Sequence, residues 1–357
     1  MESQVCTADK CRIEHNCRCS SKVNPLDGTN EPAPQLIAFT VSESVVGTVY
    51  DKYLEPLFFN RKNFDGGPVG VSFYVNHENT DYTLVQDLYL RGFEIGVHSI
   101  TKNPLQSYWR NASYSDLVDE FWGQRQLLSH FANIPIEDII GVRTPQPQVE
   151  GDVSIDAYVA SGLTYDNSLP TSSSETLLPY TLDYESNQAC LATAECPKNS
   201  HPHFWITPIA DIKGDNDVEC NSLVACLVRG GAEETASWLV GQIDRVYHGN
   251  RAPIVLRLDS YWFSFIANSF DGFSLFLDEM SKRDDVFLVS VGDVLDWIKH
   301  PVSAKNYKSP IHERNAECNP VNCSYSLPEE TEIYMKTCVP CPEIYPWKGN
   351  PLGERTN

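Results

Sequence analysis

The residues whose types and spacing could do chemistry stand at the end of Phe93-Glu-Ile-Gly-Val-His98-Ser-Ile-Thr-Lys102. The first half reads as a short buried strand ending in a histidine, and the second half as a polar turn, which is how a parallel α/β domain delivers a side chain to its ligand-binding face. His98 and Lys102 are four residues apart, a spacing at which two side chains can converge on one ion. A second histidine there would make a metal pair. An ammonium is itself a cation and repels a metal, so the stretch reads as a metal site that has lost its metal.

The elements that must position these residues follow a β-α-β rhythm. Leu36–Thr40 is an apolar strand and Val45–Phe59 a helix; Val69–Val75 is a strand and Tyr82–Leu90 a helix; the strand into His98 comes third. A helix from Ser115 to Phe131, a strand Ile139–Val142, a helix Ile155–Ala160 and a strand Leu163–Tyr165 continue it. After residue 232 come a helix Trp238–Val246, a strand Ile254–Leu258, a helix Phe270–Met280, a strand Phe287–Ser290 and a helix Val294–Ile298. Seven strand-like runs alternating with helices predict an α/β fold, a distorted (β/α) barrel of about seven strands, with an open doubly wound sheet as the alternative. The expected organisation is a Cys-rich arm over 1–35, the barrel over 36–300 with a Cys-bearing insertion at 167–232, and a Cys-rich wrap over 301–357.

An excess of 48 acidic over 27 basic side chains gives a formal charge of -21, which excludes nucleic acid and anionic membrane as natural partners. No apolar run approaches the roughly 20 residues of a spanning helix, and the start carries no basic and apolar leader, so a secreted protein would have lost its signal. Secretion is what the cysteines suggest. They fall in three groups of four: Cys6, Cys11, Cys17 and Cys19; Cys190, Cys196, Cys220 and Cys226; Cys318, Cys323, Cys338 and Cys341. Clustered in polar segments, they fit disulfides that tie down extensions with little core of their own. Zinc is the rival reading, but Cys17-Arg-Cys19 is too tight for a knuckle and Cys338-Val-Pro-Cys341 lacks a partner pair. Spacing leaves the pairing open. Asn111-Ala-Ser113 is a glycosylation sequon, and Asn322-Cys-Ser324 a poorer one.

The strand ends deliver Thr40 and Val41, His98, Arg143 with Thr144-Pro-Gln146, Asp166, and Asp259 with Tyr261 and Trp262. With Val97-His-Ser-Ile-Thr, Asn250-Arg-Ala-Pro253 and the tail Cys338-Val-Pro-Cys-Pro-Glu-Ile-Tyr-Pro-Trp347, this set resembles the secreted polysaccharide deacetylases of carbohydrate esterase family 4. The closest likeness is to insect chitin deacetylase-like proteins without a separate chitin-binding module. The resemblance implies a zinc-dependent hydrolase of N-acetyl groups, and the departures bear on that directly. Active members carry Phe-Asp-Asp, a base and a metal ligand, where this chain has Phe39-Thr40-Val41. Lys102 replaces the second metal histidine, and Asp259 the acid histidine. Arg143 is kept, Gln146 stands for a tyrosine, and Leu178 for a tryptophan. No catalytic set is intact at Thr40, Arg143 and Asp259, nor a metal set at Val41, His98 and Lys102. No cofactor is therefore expected, although active relatives use zinc.

The resemblance also implies partners and roles. Chitin or chito-oligosaccharide is the expected ligand, other matrix proteins a further one, and an extracellular matrix the expected place. Trp109, Arg143, Gln146, Tyr261 and Trp262 are the candidate sugar-binding residues, with burial in the core the plainer reading of either tryptophan. Two other functions stay open: an active deacetylase using a site rebuilt from Glu43, Asp259 and His98, and a matrix scaffold. Finally, the exchanged charges predict that the Asp259 carboxylate lies within hydrogen-bonding reach of Arg143 or Lys102, directly or through one water, with the ammonium standing in for the metal's charge; the alternative is a Lys102 that swings out to solvent.

Overall fold

The computed structural model describes residues 2–174, 176–190, 195–327 and 331–355. From the amino terminus come β1 (Gln35–Ser42), α1 (Gly47–Val49) running into a π-helical stretch Tyr50–Phe59, β2 (Ser72–Asn76), α2 (Tyr82–Leu90), β3 (Glu94–Ser99), α3 (Gln106–Asn111) and α4 (Tyr114–Phe131). Next are β4 (Gly141–Val142), α5 (Gly151–Ala160), β5 (Tyr165–Asp166), β6 (Pro170–Thr171), β7 (Tyr180–Leu182), β8 (His201–Ile206), β9 (Ile209–Ala210), β10 (Ile212–Lys213) and β11 (Glu219–Cys220). Then follow α6 (Ala232–Tyr247), β12 (Ile254–Leu258), α7 (Ser260–Phe265), α8 (Ser269–Met280), β13 (Val286–Leu288), α9 (Val291–Lys299), and the hairpin β14 (Val321–Leu327) and β15 (Thr331–Thr337).

The central sheet runs β12-β1-β2-β3-β4-β5-β8-β7, with β13 beside the start of β1. Its pairings are parallel except that of β7 with β8. β1 is buried along its whole length, as a strand covered on both faces must be, and its Leu-Ile-Ala-Phe run supplies the apolar surface. Phe39 meets the Phe273 ring edge-on at 4.9 Å and so fastens the sheet to α8. The parallel α/β arrangement is the predicted one. The hydrogen-bonded path is open between β7 and β12, and the parallel pair β6–β9 lies beside β12 in that gap.

Two elements differ from expectation. His-Pro-His-Phe-Trp-Ile206 forms β8 inside the stretch read as an insertion, adding a parallel strand beyond β5. Its first half is polar and carries a proline, so no apolar run announces it. The helix after β1 is largely π-helical around Pro56, whose missing N–H breaks the ordinary ladder.

All twelve cysteines are bonded and every pair is local: Cys6–Cys19, Cys11–Cys17, Cys190–Cys196, Cys220–Cys226, Cys318–Cys338 and Cys323–Cys341. The extensions are joined to the sheet domain by polar contacts. Arg18 Nη1 donates to the Pro179 carbonyl at 2.8 Å, Asn24 Nδ2 to Asn250 and Arg251 carbonyls, and Lys348 Nζ reaches Asp116 at 2.7 Å.

Between β9 and β10, Asp211 is buried with no hydrogen-bond partner for Oδ1 among the described residues. Burial first, and then the Glu219 charge, push its carboxyl up to about 7. A carboxyl whose folded pKa is raised stabilises the fold least once pH has climbed through that pKa, and the penalty vanishes below the ordinary value of 3.8. Asp211→Asn should therefore raise the unfolding midpoint at pH 8 and leave it nearly unchanged at pH 4. Equal shifts at both pH values would contradict the assignment.

Candidate functional site

His98 is the penultimate residue of β3, at the carboxyl end of the strand, and is buried. Its Nδ1 lies 2.7 Å from the Arg143 carbonyl oxygen, which fixes Nδ1 as the protonated nitrogen. Burial, and next the Lys102 charge, hold its pKa well below the ordinary value, so the ring is neutral. The loop behind it is strained: Ser99 and Lys102 have φ of 115° and 45°. Glu120 of α4 compensates by accepting from Ile100 N–H at 3.0 Å, Thr101 N–H at 2.9 Å, and the Thr101 and Tyr108 hydroxyls at 2.7 Å each. That buried carboxylate holds the turn from which Lys102 follows, and the Lys102 N–H donates to Ser99 Oγ at 3.0 Å. Sequence reasoning missed it, because a lone Glu on an amphipathic helix looks like any surface charge.

Arg143, at the end of β4, is 1% exposed. Its guanidinium is enclosed by neutral oxygens: Nη1 donates to Thr40 Oγ1 at 2.7 Å and Ser42 Oγ at 3.2 Å, Nε to the Asn167 carbonyl at 2.7 Å, and Nη2 to Asn167 Oδ1. It also sits 5.0 Å above the Tyr74 ring. Thr40 thus occupies the arginine's flank with a hydroxyl that in turn donates to the Leu256 carbonyl at 3.2 Å. Burial lowers the Arg143 pKa to about 10, so it remains a cation, with no bonded counterion among the described residues.

Of the two contacts expected for Asp259, direct or through one water, a direct bond to Arg143 or Lys102 is not formed. Asp259 accepts from Ser222 Oγ, and its nearest cation is Arg257, 3.9 Å away. The reason is local: Arg257 lies two residues back, at the end of β12, and the Arg143 donors are already taken. Lys102 instead stands in the combined field of Glu43 and Asp259, which oppose the lowering of its pKa by burial. Glu43 itself accepts from the Ser260 hydroxyl at 2.7 Å and the Ser260 N–H at 3.3 Å, and so caps the first turn of α7.

This donor set does not fit a divalent metal. Val41 offers no ligand atom and Lys102 is cationic. Among the described residues, the only three metal-capable side chains with donor atoms within 4.8 Å of one another are Cys6, Cys11 and Cys19, all held in disulfides. Glu43, Asp259 and His98 therefore do not converge.

The aromatic candidates divide. Trp109 and Trp262 are fully buried: the first donates its indole N–H to the Asn103 carbonyl at 2.8 Å, and the second packs edge-on against Phe273. Neither presents a ring face to a sugar, because each sits on the inward side of a short amphipathic helix. Tyr261 is 58% exposed and lies parallel to Phe265, itself 74% exposed, with centroids 5.8 Å apart. Phe265, four residues on, was not foreseen, although an i, i+4 aromatic pair is readable from the sequence. Gln146 is exposed with a left-handed φ of 59°. Asn111 is exposed at the end of α3, and Leu178 is buried.

No protein-family model matches the chain. Chitin deacetylase 8 of Bombyx mori, however, is 34% identical over 98% of this chain and 93% of its own length. The chain belongs to the insect chitin deacetylases. A second member of that family, chitin deacetylase 1 of Bombyx mori, is 28% identical over 98% of this chain and 68% of its own. Among solved structures, a probable polysaccharide deacetylase from Pseudomonas aeruginosa aligns with a TM-score of 0.48 at 14% identity, over 78% of this chain and 99% of that one. As a chitin deacetylase family member, the chain carries six disulfides and a parallel α/β sheet domain.

Proposed function

We propose that this protein is a secreted member of the chitin deacetylases that does not hydrolyse the N-acetyl group and instead binds and organises chitin or chito-oligosaccharide in an extracellular matrix. The observation that carries the reading is the set of partners of Arg143: two hydroxyls, one backbone carbonyl and one side-chain amide oxygen, with no carboxylate bonded to it among the described residues. Amide hydrolysis by a metal-dependent route needs a metal to bring the pKa of water from about 15.7 toward about 7. It also needs a positioned base and acid, each worth about 10²–10⁴-fold. Thr40, Val41 and Lys102 supply none of these. The six disulfides support an oxidising compartment, and exposed Asn111 is the glycosylation site that goes with it.

In this reading Tyr261 and Phe265 form the platform on which a pyranose face stacks. The purified chain should be retained on chitin and release no acetate from chito-oligosaccharide. Tyr261→Ala and Phe265→Ala should each weaken retention by about 0.5–1.5 kcal/mol, roughly 2- to 12-fold. Acetate release by the native chain would sink the inactive reading, and absence of retention would leave the scaffold in its place.

A further inference from the structure

A groove of about 790 Å³ lies between the β14–β15 hairpin and the carboxyl-terminal segment. It opens near Glu78, which follows β2 at the same face as His98 and whose carbonyl accepts from Ser44 Oγ at 2.7 Å. Its volume suits a ligand of several rings. Its floor is aromatic: the Tyr325 and Tyr345 centroids are 5.8 Å apart, and Tyr345 and Trp347 follow at 6.1 Å with their planes 32° apart. Trp347 is 38% exposed.

The floor is held rigid. Buried His77, kept neutral by a pKa lowered to about 4 through burial, accepts from the Tyr82 hydroxyl at 2.7 Å and donates to the Pro346 carbonyl at 3.0 Å. The same ring packs against Tyr345 at 4.8 Å. Tyr325 OH donates to the Pro342 carbonyl at 3.0 Å, and Cys323–Cys341 bolts the hairpin to the tail. A wall fixed before binding loses little entropy when a ligand arrives.

The rim is polar and mainly anionic, with Glu78 and Glu343 against one guanidinium, Arg355. Rings that can stack, carboxylates that accept from hydroxyls, and a guanidinium that donates match a sugar, whose faces are apolar and whose edges are hydrogen-bonding. Two carboxylates against one cation, on a chain of net charge -21, favour a ligand bearing ammonium groups.

We infer that this groove is a second glycan site, separate from the family's cleft, that takes a chain of amino sugars and prefers units whose amine is free. This rests on the glycan-binding reading above and adds a site and a preference. A glucosamine hexamer and an N-acetylglucosamine hexamer, each titrated into the full chain while tryptophan emission is followed, test it. Both should change the emission, and the free-amine hexamer should bind more tightly. Trp347→Phe should remove most of the change. Glu343→Gln should weaken the free-amine hexamer about tenfold and leave the acetylated one unchanged. Ser326→Leu, which fills the groove from the hairpin side without touching its anchors, should weaken both.

Native-like affinity of both hexamers for Ser326→Leu would overturn the site, and equal affinity of the two hexamers for the native chain would overturn the preference. The platform reading fails separately, through retention on chitin that Tyr261→Ala and Phe265→Ala leave unchanged.

Discussion

Val41→Asp combined with Lys102→His should give a chain that keeps about one zinc ion after dialysis, where the native chain keeps far less than one. The magnitude follows from charge. An ammonium 4 Å from a divalent ion opposes it by about 8 kcal/mol at an effective dielectric of about 20, and histidine removes that term while adding a ligand. His98 is already oriented, because its Nδ1–H is tied to the Arg143 carbonyl at 2.7 Å, an outer hydrogen bond of the kind that fixes a metal-binding imidazole. Metal analysis and calorimetry measure the outcome. Stoichiometric zinc on the native chain would show that Lys102 does not exclude a cation, and none on the double variant would show that the backbone there has moved too far. Thr40→Asp with Val41→Asp, by contrast, should release no acetate while Lys102 and Asp259 remain.

Asn167→Leu should cost about 2–4 kcal/mol of folding stability, and Arg143→Met much less. Asn167 gives Arg143 one side-chain acceptor, and its own amide donates to the Thr207 carbonyl at 2.6 Å. Leucine removes both bonds and leaves a buried guanidinium short of a partner. Methionine at 143 removes the buried charge itself, so that only neutral acceptors go wanting. The double variant should consequently be more stable than Asn167→Leu alone. Urea midpoints read all three. If Arg143→Met is as damaging as Asn167→Leu, the arginine is a structural keystone and not a retained cation whose acid has gone.

The parts of the fold that could be read from the sequence are those with one dominant period. Tyr82–Leu90 is predicted to the residue, and Ser115–Phe131 to within one position at its start, where the structure shows a capping box of Ser113 and Asp116. His201–Ile206 could not be read that way, because its strand character comes from docking beside β5. The losses at Thr40, Val41, Lys102 and Asp259 were legible because each is a change of chemical type. The new surroundings were not: Asn167 bonds Arg143, Ser222 bonds Asp259 and Glu120 holds the turn before Lys102, each from another element, and the sequence alone gives no distance between them. Trp109 and Trp262 show the reverse limit. A tryptophan beside a cleft motif has the same letter whether its ring faces the ligand or Phe273.

The locality of the disulfides bears on how the chain is made. The widest pair, Cys318–Cys338, spans 20 residues, and no bond leaves its own cluster of four. In the first cluster Cys11–Cys17 nests inside Cys6–Cys19, and in the last Cys318–Cys338 interleaves with Cys323–Cys341, so pairing each cysteine with the next to emerge would be wrong in both. Four cysteines can pair in only three ways, and long stretches of sequence, Ser20 to Ala189 and Leu227 to Glu317, separate the middle cluster from the other two. Errors made during oxidative folding therefore tend to stay inside one cluster, where a thiolate a few residues away can correct them, and the sheet domain can finish folding without waiting for them.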